Sequence, residues 1–103
     1  MSSEIDSELY LALKSGDVIL GAKHVIKQLK SGSNPKLIVM SNNVPPDMKI
    51  QVEYLAKLAN VPIFYYPGKS IDLGRAFKKP FFVSIAAIME EGESRILEVI
   101  KAP

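Results

Sequence analysis

The sequence has no cysteine and only one histidine, His24. Without thiols the chain can form no disulfide, has no thiolate nucleophile and offers no cysteine ligand to zinc. A single histidine leaves little scope for a catalytic triad or a histidine-rich metal site, and we expect His24 at the surface, near the start of a helix. We therefore expect no metal and no cofactor.

The sequence also lacks long apolar runs. No stretch approaches the roughly 18 consecutive apolar residues of a membrane helix. The first charged residues are Glu4, Asp6 and Glu8, where an export signal would carry basic residues. We expect a soluble, unexported, cytoplasmic protein with no membrane partner. Its 103 residues, 48% apolar and 23% charged, fit one globular domain over residues 1–103.

Charge is distributed in blocks, although the net charge is only +2. Residues 14–36 carry five lysines against one aspartate, and residues 69–79 carry four basic residues against one aspartate. Residues 1–13 and 90–98 are acidic. Two basic blocks that meet in space are typical of a protein that binds a polyanion such as nucleic acid. A thermostable protein with many ion pairs on its surface would show a similar charge distribution. Charge alone therefore leaves both interpretations open.

Helical and strand patterns alternate along the chain. Apolar residues at helical spacing predict a first helix capped by Ser3 and ended by Gly16, a second over residues 22–29, and a third from a cap at Asp47 to near Asn60. A short helix capped by Ser70 and a short terminal helix follow. Apolar, β-branched runs predict strands at residues 18–20, 37–40, 63–65 and, as the longest and central one, 81–89. This order predicts an α/β fold, a three-layer α/β/α sandwich with a four-stranded mixed sheet.

Three strand-to-helix junctions combine turn residues with polar or basic side chains. They are residues 21–23 (GAK), 41–43 (SNN) and 67–70 (PGKS). Taken singly, each is explained by turn geometry and solvated lysines. Together they matter more, because equivalent ends of strands meet at one edge of a sheet, where helix N-termini attract phosphate. The Gly68–Lys69–Ser70 sequence is no nucleotide-hydrolysing phosphate loop, since the required glycine five residues earlier is missing.

Two aromatic residues, Phe81 and Phe82, follow Lys79. Rings next to cations are typical of proteins that hold looped or single-stranded RNA by stacking and phosphate attraction. Two phenylalanines at a strand start are also ordinary core residues, and from the strand's alternation we expect Phe82 in the core and Phe81 at the sheet edge. The carboxylates near residue 91 lie in an exposed acidic turn, which gives no support to acid catalysis. We expect no enzyme activity.

Several motifs resemble the ribosomal protein L-thirty-e family in its archaeal form. They are residues 19–23 (ILGAK), 35–39 (PKLIV), 41–43 (SNN), 45–46 (PP), 53–56 (EYLA), Gly68, 73–74 (LG) and 92–97 (GESRIL). The similarity keeps one order over residues 5–98. This family is part of the L-seven-Ae superfamily of kink-turn RNA binders, which has an α/β/α sandwich and no defining enzyme activity. The resemblance therefore implies ribosomal RNA binding in the large ribosomal subunit, through a kink-turn or internal loop.

The resemblance also implies which residues face RNA. With the neighbours chosen above, the candidate RNA-binding residues are Gly21, Ala22, Lys23, Ser41, Asn42, Asn43, Gly68, Lys69, Gly74, Lys79 and Phe81. We expect Asn43 to hydrogen-bond a base and Phe81 to pack on it. Two departures affect this site: Lys78 stands where the family often has glycine, and Phe82 where a polar residue is common.

The expected partners are ribosomal RNA and other large-subunit proteins, with a monomer when free. One competing interpretation is a small α/β enzyme acting on a phosphorylated ligand, for which the sequence offers no positioned acid, base or metal. The other is a protein-interaction adaptor of the same fold, with an exposed apolar patch made by Ile5, Tyr10, Tyr65 and Tyr66.

Overall fold

The computed structural model describes residues 3–100, with side chains from Glu4 onward. Five helices and four strands alternate within this range. The helices are α1 (Ser3–Ser15), α2 (Ala22–Lys30), α3 (Pro46–Ala59), α4 (Ser70–Ala76) and α5 (Ile96–Val99). The strands are β1 (Asp17–Leu20), β2 (Leu37–Met40), β3 (Ile63–Tyr65) and β4 (Ile85–Glu90). The predicted order of elements is confirmed.

The four strands form one mixed sheet in the order β1-β4-β2-β3. Strands β2 and β3 are parallel, whereas β4 is antiparallel to both of its neighbours, β1 and β2. Consequently β1, β2 and β3 all run in one direction, and β4 alone runs in the other. The prediction that the last strand is central is confirmed.

Both faces of the sheet are covered, which confirms the three-layer sandwich. In β2, Leu37 and Val39 join a core with α1 and α4 on one face, while Ile38 and Met40 join a core with α2 and α3 on the other. All four side chains are buried. Side chains of a strand alternate between faces, so a strand covered on both sides must be apolar at every position. This is why β2, and β4 from Ile85 to Met89, are continuous apolar runs.

The predicted strand over residues 81–89 is wrong at its start, because β4 begins only at Ile85. Residues 79–83 run beside α4 instead. The N–H of Lys79 donates to the carbonyl of Gly74 (3.0 Å), and the N–H of Val83 donates to the carbonyl of Ser70 (3.0 Å). These backbone groups are therefore satisfied by the helix rather than by a neighbouring strand.

Two of the predicted helix caps are also misplaced. Helix α3 begins at Pro46, with Pro45 as its N-cap and Asp47 inside the first turn. Helix α4 has Lys69 as its N-cap, and Ser70 is its first helical residue. The predicted cap at Ser3 depends on a side chain outside the described set. The predicted helix ends are confirmed at Gly16 and Asn60, and Asn60 adopts the left-handed conformation (φ 59°) that asparagine tolerates.

At the end of the sheet where β4 finishes, a salt-bridge cluster joins Lys36 to Glu90 (3.1 Å) and Glu91 (2.9 Å). Hydrogen bonds to Glu91 and Glu90 raise the pKa of Lys36, and the hydrogen bond from Lys36 lowers the pKa of Glu91. A lowered pKa keeps this carboxylate ionised, which is the opposite of what a general acid requires. The acidic turn thus forms a charged pole at the edge opposite the three candidate junctions.

Candidate nucleic-acid interface

The three polar junctions meet at one edge of the sheet. Strands β1, β2 and β3 all end there, and β4 begins there. Three backbone hydrogen bonds join loops that are neighbours in space: Gly21 N–H to Ile85 O (2.9 Å), Ser41 N–H to Ser84 O (2.9 Å), and Asn42 N–H to Gly68 O (2.8 Å). The structure therefore brings together segments that are far apart in sequence. We call the surface formed by residues 21–23, 41–43, 68–71, 74–75 and 79–82 the loop edge.

The first junction turns directly from β1 into α2. Gly21 has φ 105°, a conformation that side chains rarely adopt, so glycine is required for this sharp turn. Its carbonyl accepts the N–H of Val25 and starts the helix. Ala22 packs on the core between the sheet and α3, whereas Lys23 is exposed in the first helical turn. Of these residues, Lys23 has the side chain able to reach a ligand.

The second junction is organised by Asn43, whose side chain spans two loops. Its Oδ1 accepts the backbone N–H of Ser70 (2.9 Å) and the hydroxyl of Ser41 (3.1 Å), and its Nδ2 donates to Ser70 Oγ (3.4 Å). Asn43 thus satisfies the first N–H of α4 from another part of the chain, as an N-cap would. Ser41 is only 3% exposed, so it acts by orienting Asn43. Asn42 is exposed beside it.

The third junction leads from β3 into α4. The N–H of Lys69 donates to the carboxylate of Asp72 (2.9 Å), which fixes the start of the helix and leaves the Lys69 side chain exposed. A Cβ on Gly68 would lie 2.8 Å from the ring of Tyr66 and 3.0 Å from Asp72 Cβ. A side chain at position 68 would collide with these groups, so Gly68 is required by the packing. The exposed Lys69 supplies the positive charge at this junction.

Gly74 positions Phe81 from beneath. It is buried in α4, and a Cβ at this position would lie 2.1 Å from the carbonyl oxygen of Phe81. The missing side chain lets residues 79–82 lie directly on the helix. Lys78 makes the turn into this segment with φ 56°, the left-handed geometry that explains why a glycine suits this position. Gly74 therefore determines where Phe81 lies on the loop edge.

Sequence reasoning missed part of the loop edge. A shallow pocket of about 220 Å³ is lined by Ile71, Arg75, Lys79, Pro80, Phe81 and Phe82. Ile71 and Arg75 lie one turn apart on the exposed side of α4, and that i, i+4 spacing was the available signal. The pocket combines apolar walls with two cations, which suits a planar base attached to a phosphate backbone.

The expectations for Phe82 and for the tyrosine patch are wrong. Phe82 is 69% exposed and does not join the core, because residues 81 and 82 precede the strand rather than start it. Phe81 is 52% exposed, so both rings are at the surface. The tyrosine patch of the adaptor interpretation does not form either, since Tyr66 is 4% exposed and donates to Asp6 (2.7 Å).

The described residues contain neither a cluster of metal ligands nor a helix able to span a membrane. Within residues 3–100, no three histidine, cysteine, aspartate or glutamate side chains are grouped so that they could hold a metal ion. His24 is exposed in the first turn of α2, as expected. The helices of this range are too short or too polar to span a bilayer.

The α/β/α sandwich described above belongs to a known protein family. A model of the ribosomal protein L7Ae/L30e/S12e/Gadd45 family matches residues 3–98, and the chain therefore belongs to this family. Three relatives named "large ribosomal subunit protein eL30" are similar over nearly the whole chain. The protein of Methanothermobacter thermautotrophicus is 42% identical over 97 residues, covering 94% of this chain and 98% of the relative.

The other two relatives give the same result. The Sulfolobus acidocaldarius protein is 42% identical over 101 residues, covering 98% of this chain and 96% of its own, and the Methanopyrus kandleri protein is 40% identical over 98 residues, covering 95% and 89%. The resemblance to the L-thirty-e family seen in the sequence motifs is thereby confirmed.

Proposed function

We propose that the chain is a structural, RNA-binding component of the large ribosomal subunit, and that its loop edge binds a kink-turn or internal loop of ribosomal RNA. The names of the three relatives, each a large-subunit ribosomal protein, support the ribosomal assignment. They equally favour a role in the cytoplasmic ribosome, beside other large-subunit proteins, over an enzymatic one.

The observation that carries the RNA proposal is the composition of the loop edge. Lys23, Lys69 and Lys79 come from three separate segments and are all exposed around the loops. Cations spread in this way suit successive phosphates of a backbone that bends across the edge. Exposed Phe81 and Phe82 add stacking surface that a merely solvated basic face does not need.

A bent RNA fits this edge better than a regular duplex. An A-form helix stacks its bases and offers aromatic rings no free base, whereas loops and kinks splay bases outward. The shallow pocket beside Phe81 and Phe82 can receive a base only when that base has left the base stack of its RNA. Asn43, exposed at the centre of the loops, has a second Nδ2 N–H beyond the one directed at Ser70 Oγ, and this N–H can donate to a base edge. We infer that an unstacked nucleotide lies against Phe81.

The test compares two RNAs of equal length, one with a kink-turn and one with the internal loop replaced by complementary pairs. We expect the kink-turn RNA to bind more tightly, and Phe81→Ala to weaken its binding by about 1–3 kcal/mol, the value of one base–aromatic stack. Tyr54→Ala is the matched control, because Tyr54 is exposed, lies about two turns into α3 and is not one of the residues that define the loop edge. Equal binding of both RNAs would contradict kink recognition, and unchanged affinity of the Phe81→Ala variant would remove Phe81 from the site.

A further inference from the structure

Large apolar side chains that remain exposed within residues 4–100 fall into two groups. Ile71, Phe81 and Phe82 belong to the loop edge and are accounted for by the proposed function. The second group lies on α3 and the adjoining strand β3, and consists of Ile50, Tyr54, Leu58 and Tyr65. Nothing in the RNA proposal uses this second group.

Three members of the second group form a continuous stripe along α3. Ile50, Tyr54 and Leu58 follow one another at intervals of four residues, which places them on one side of the helix over a length of about 12 Å. They are 66%, 62% and 67% exposed. The same helix already buries Val52 and Ala56 against the sheet. A surface helix normally carries polar residues opposite its buried side, so this second apolar side needs a separate explanation. We call these three residues the α3 stripe.

The stripe continues into a groove between α2 and α3. Leu29, Leu55, Leu58 and Ala59 line this groove, together with Lys30 from α2. Unlike an isolated exposed leucine, Leu58 is thus part of both a helix ridge and an adjoining depression. A ridge next to a groove is the shape that receives the apolar side of a helix.

Three lysines and two acids surround the α3 stripe, a surplus of one positive charge. Lys49 and Lys57 flank it on α3, and Lys30 borders the groove. Two acids also lie on α3: Asp47 in its first turn, and Glu53, whose carboxylate accepts the hydroxyl of Tyr65. This hydrogen bond occupies one carboxylate oxygen of Glu53 but leaves its negative charge in place. An incoming surface with acidic residues beside its apolar ones would complement this pattern.

We propose that the α3 stripe is a docking site for an amphipathic helix of another protein, one with aliphatic anchors flanked by aspartate or glutamate. RNA is a poorer occupant, because isoleucine and leucine side chains neither stack on bases nor hydrogen-bond their edges. A helical partner places anchors at intervals of three and four residues, which matches the spacing of the stripe. The inference does not rest on RNA binding at the loop edge.

The test selects partners from a display library of helical peptides about 18 residues long, roughly five turns, with every flanking position randomised. The target is the full chain. We expect the selected peptides to carry aliphatic residues at helical spacing and an excess of acidic flanking residues. Tyr54→Gln and Leu58→Gln should each weaken the selected peptides at least tenfold, as expected for central anchors. Both positions are exposed and glutamine is a good helix former, so these variants should fold.

Phe82→Gln is the matched control, since it replaces an equally exposed aromatic residue at the loop edge. It should leave peptide affinity unchanged, whereas Lys57→Glu should lower it. Three results would overturn the proposal: selected peptides without an acidic bias, peptides that bind the Tyr54→Gln variant as tightly as the parent, or no enrichment at all. Self-association of the free chain that Tyr54→Gln abolishes would assign the stripe to a second copy instead. Loss of kink-turn binding in Tyr54→Gln would assign it to RNA.

Discussion

The contact between Gly74 and the Phe81 backbone makes Gly74→Ala an informative substitution. A methyl group here would lie 2.1 Å from the Phe81 carbonyl oxygen and 3.3 Å from its carbon. Backbone cannot swing away as the end of a flexible side chain can, so residues 79–82 must retreat by roughly an ångström. The substitution acts on stability and on the loop edge at once.

Two opposing effects decide the size of the stability change. Alanine is favoured over glycine inside a helix by about 0.5–1 kcal/mol. Forcing extra volume into a packed site costs about 1–3 kcal/mol. Because a 2.1 Å contact with backbone belongs in the upper part of this range, about 2–3 kcal/mol, we expect Gly74→Ala to lower the free energy of unfolding by about 1–2.5 kcal/mol, measured by urea denaturation. For a domain of this size each kcal/mol corresponds to about 4–8 °C in Tm. Unchanged or increased stability would refute the reasoning.

The same variant tests how Gly74 affects binding. If Gly74 acts by placing Phe81, the loss of kink-turn affinity in Gly74→Ala and the loss in Phe81→Ala should not add in the double variant. The stability loss should persist in the double variant, because the clash is with the Phe81 backbone. Additive affinity losses would show that Gly74 influences RNA by another route.

Three further predictions concern other parts of the molecule. Asn43→Ala should destabilise the fold by about 0.5–2 kcal/mol, the cost of a lost helix cap, as measured by thermal unfolding. Lys23→Ala should flatten the salt dependence of RNA affinity by about one unit of log–log slope or less, and more than Lys30→Ala, which lies two turns further along α2. The hydrogen bond to Glu53 raises the pKa of Tyr65 from 10.0 to about 12, so this bond should stabilise the fold below pH 10 and cease to do so as pH rises towards 12. Glu53→Gln should lower the pKa of Tyr65 in an ultraviolet titration.

The layered fold was predictable because its determinants are local. Strand β2 matches its predicted bounds, since a short apolar run between Pro35 and a polar loop has few alternatives to a buried strand. The convergence of the three junctions followed from strand direction alone. These inferences needed only periodicity, turn residues and the geometry of sheets.

The details of the loop edge were not predictable, because they depend on contacts between distant residues. Asn43 caps a helix that begins 27 residues later, and no local pattern indicates such a partner. Likewise Phe82 lies in an apolar run that favours a buried strand, yet the N–H of the next residue, Val83, donates to the carbonyl of Ser70 in α4, 13 residues earlier. The long-range backbone contact outweighed the local preference for a strand.

The position of β4 in the sheet has a consequence for the order of assembly. This strand lies between β1 and β2. Until β4 has been synthesised, no strand joins β1 to the β2–β3 pair. The loop edge is likewise completed only when β4 pairs, because the N–H groups of Gly21 and Ser41 donate to the carbonyls of Ile85 and Ser84. Pairing between segments so far apart in sequence closes long loops and is slow. During synthesis, the proposed RNA-binding surface should thus be completed only when the final quarter of the chain inserts, and a nascent chain lacking that quarter would have neither a closed core nor a complete loop edge.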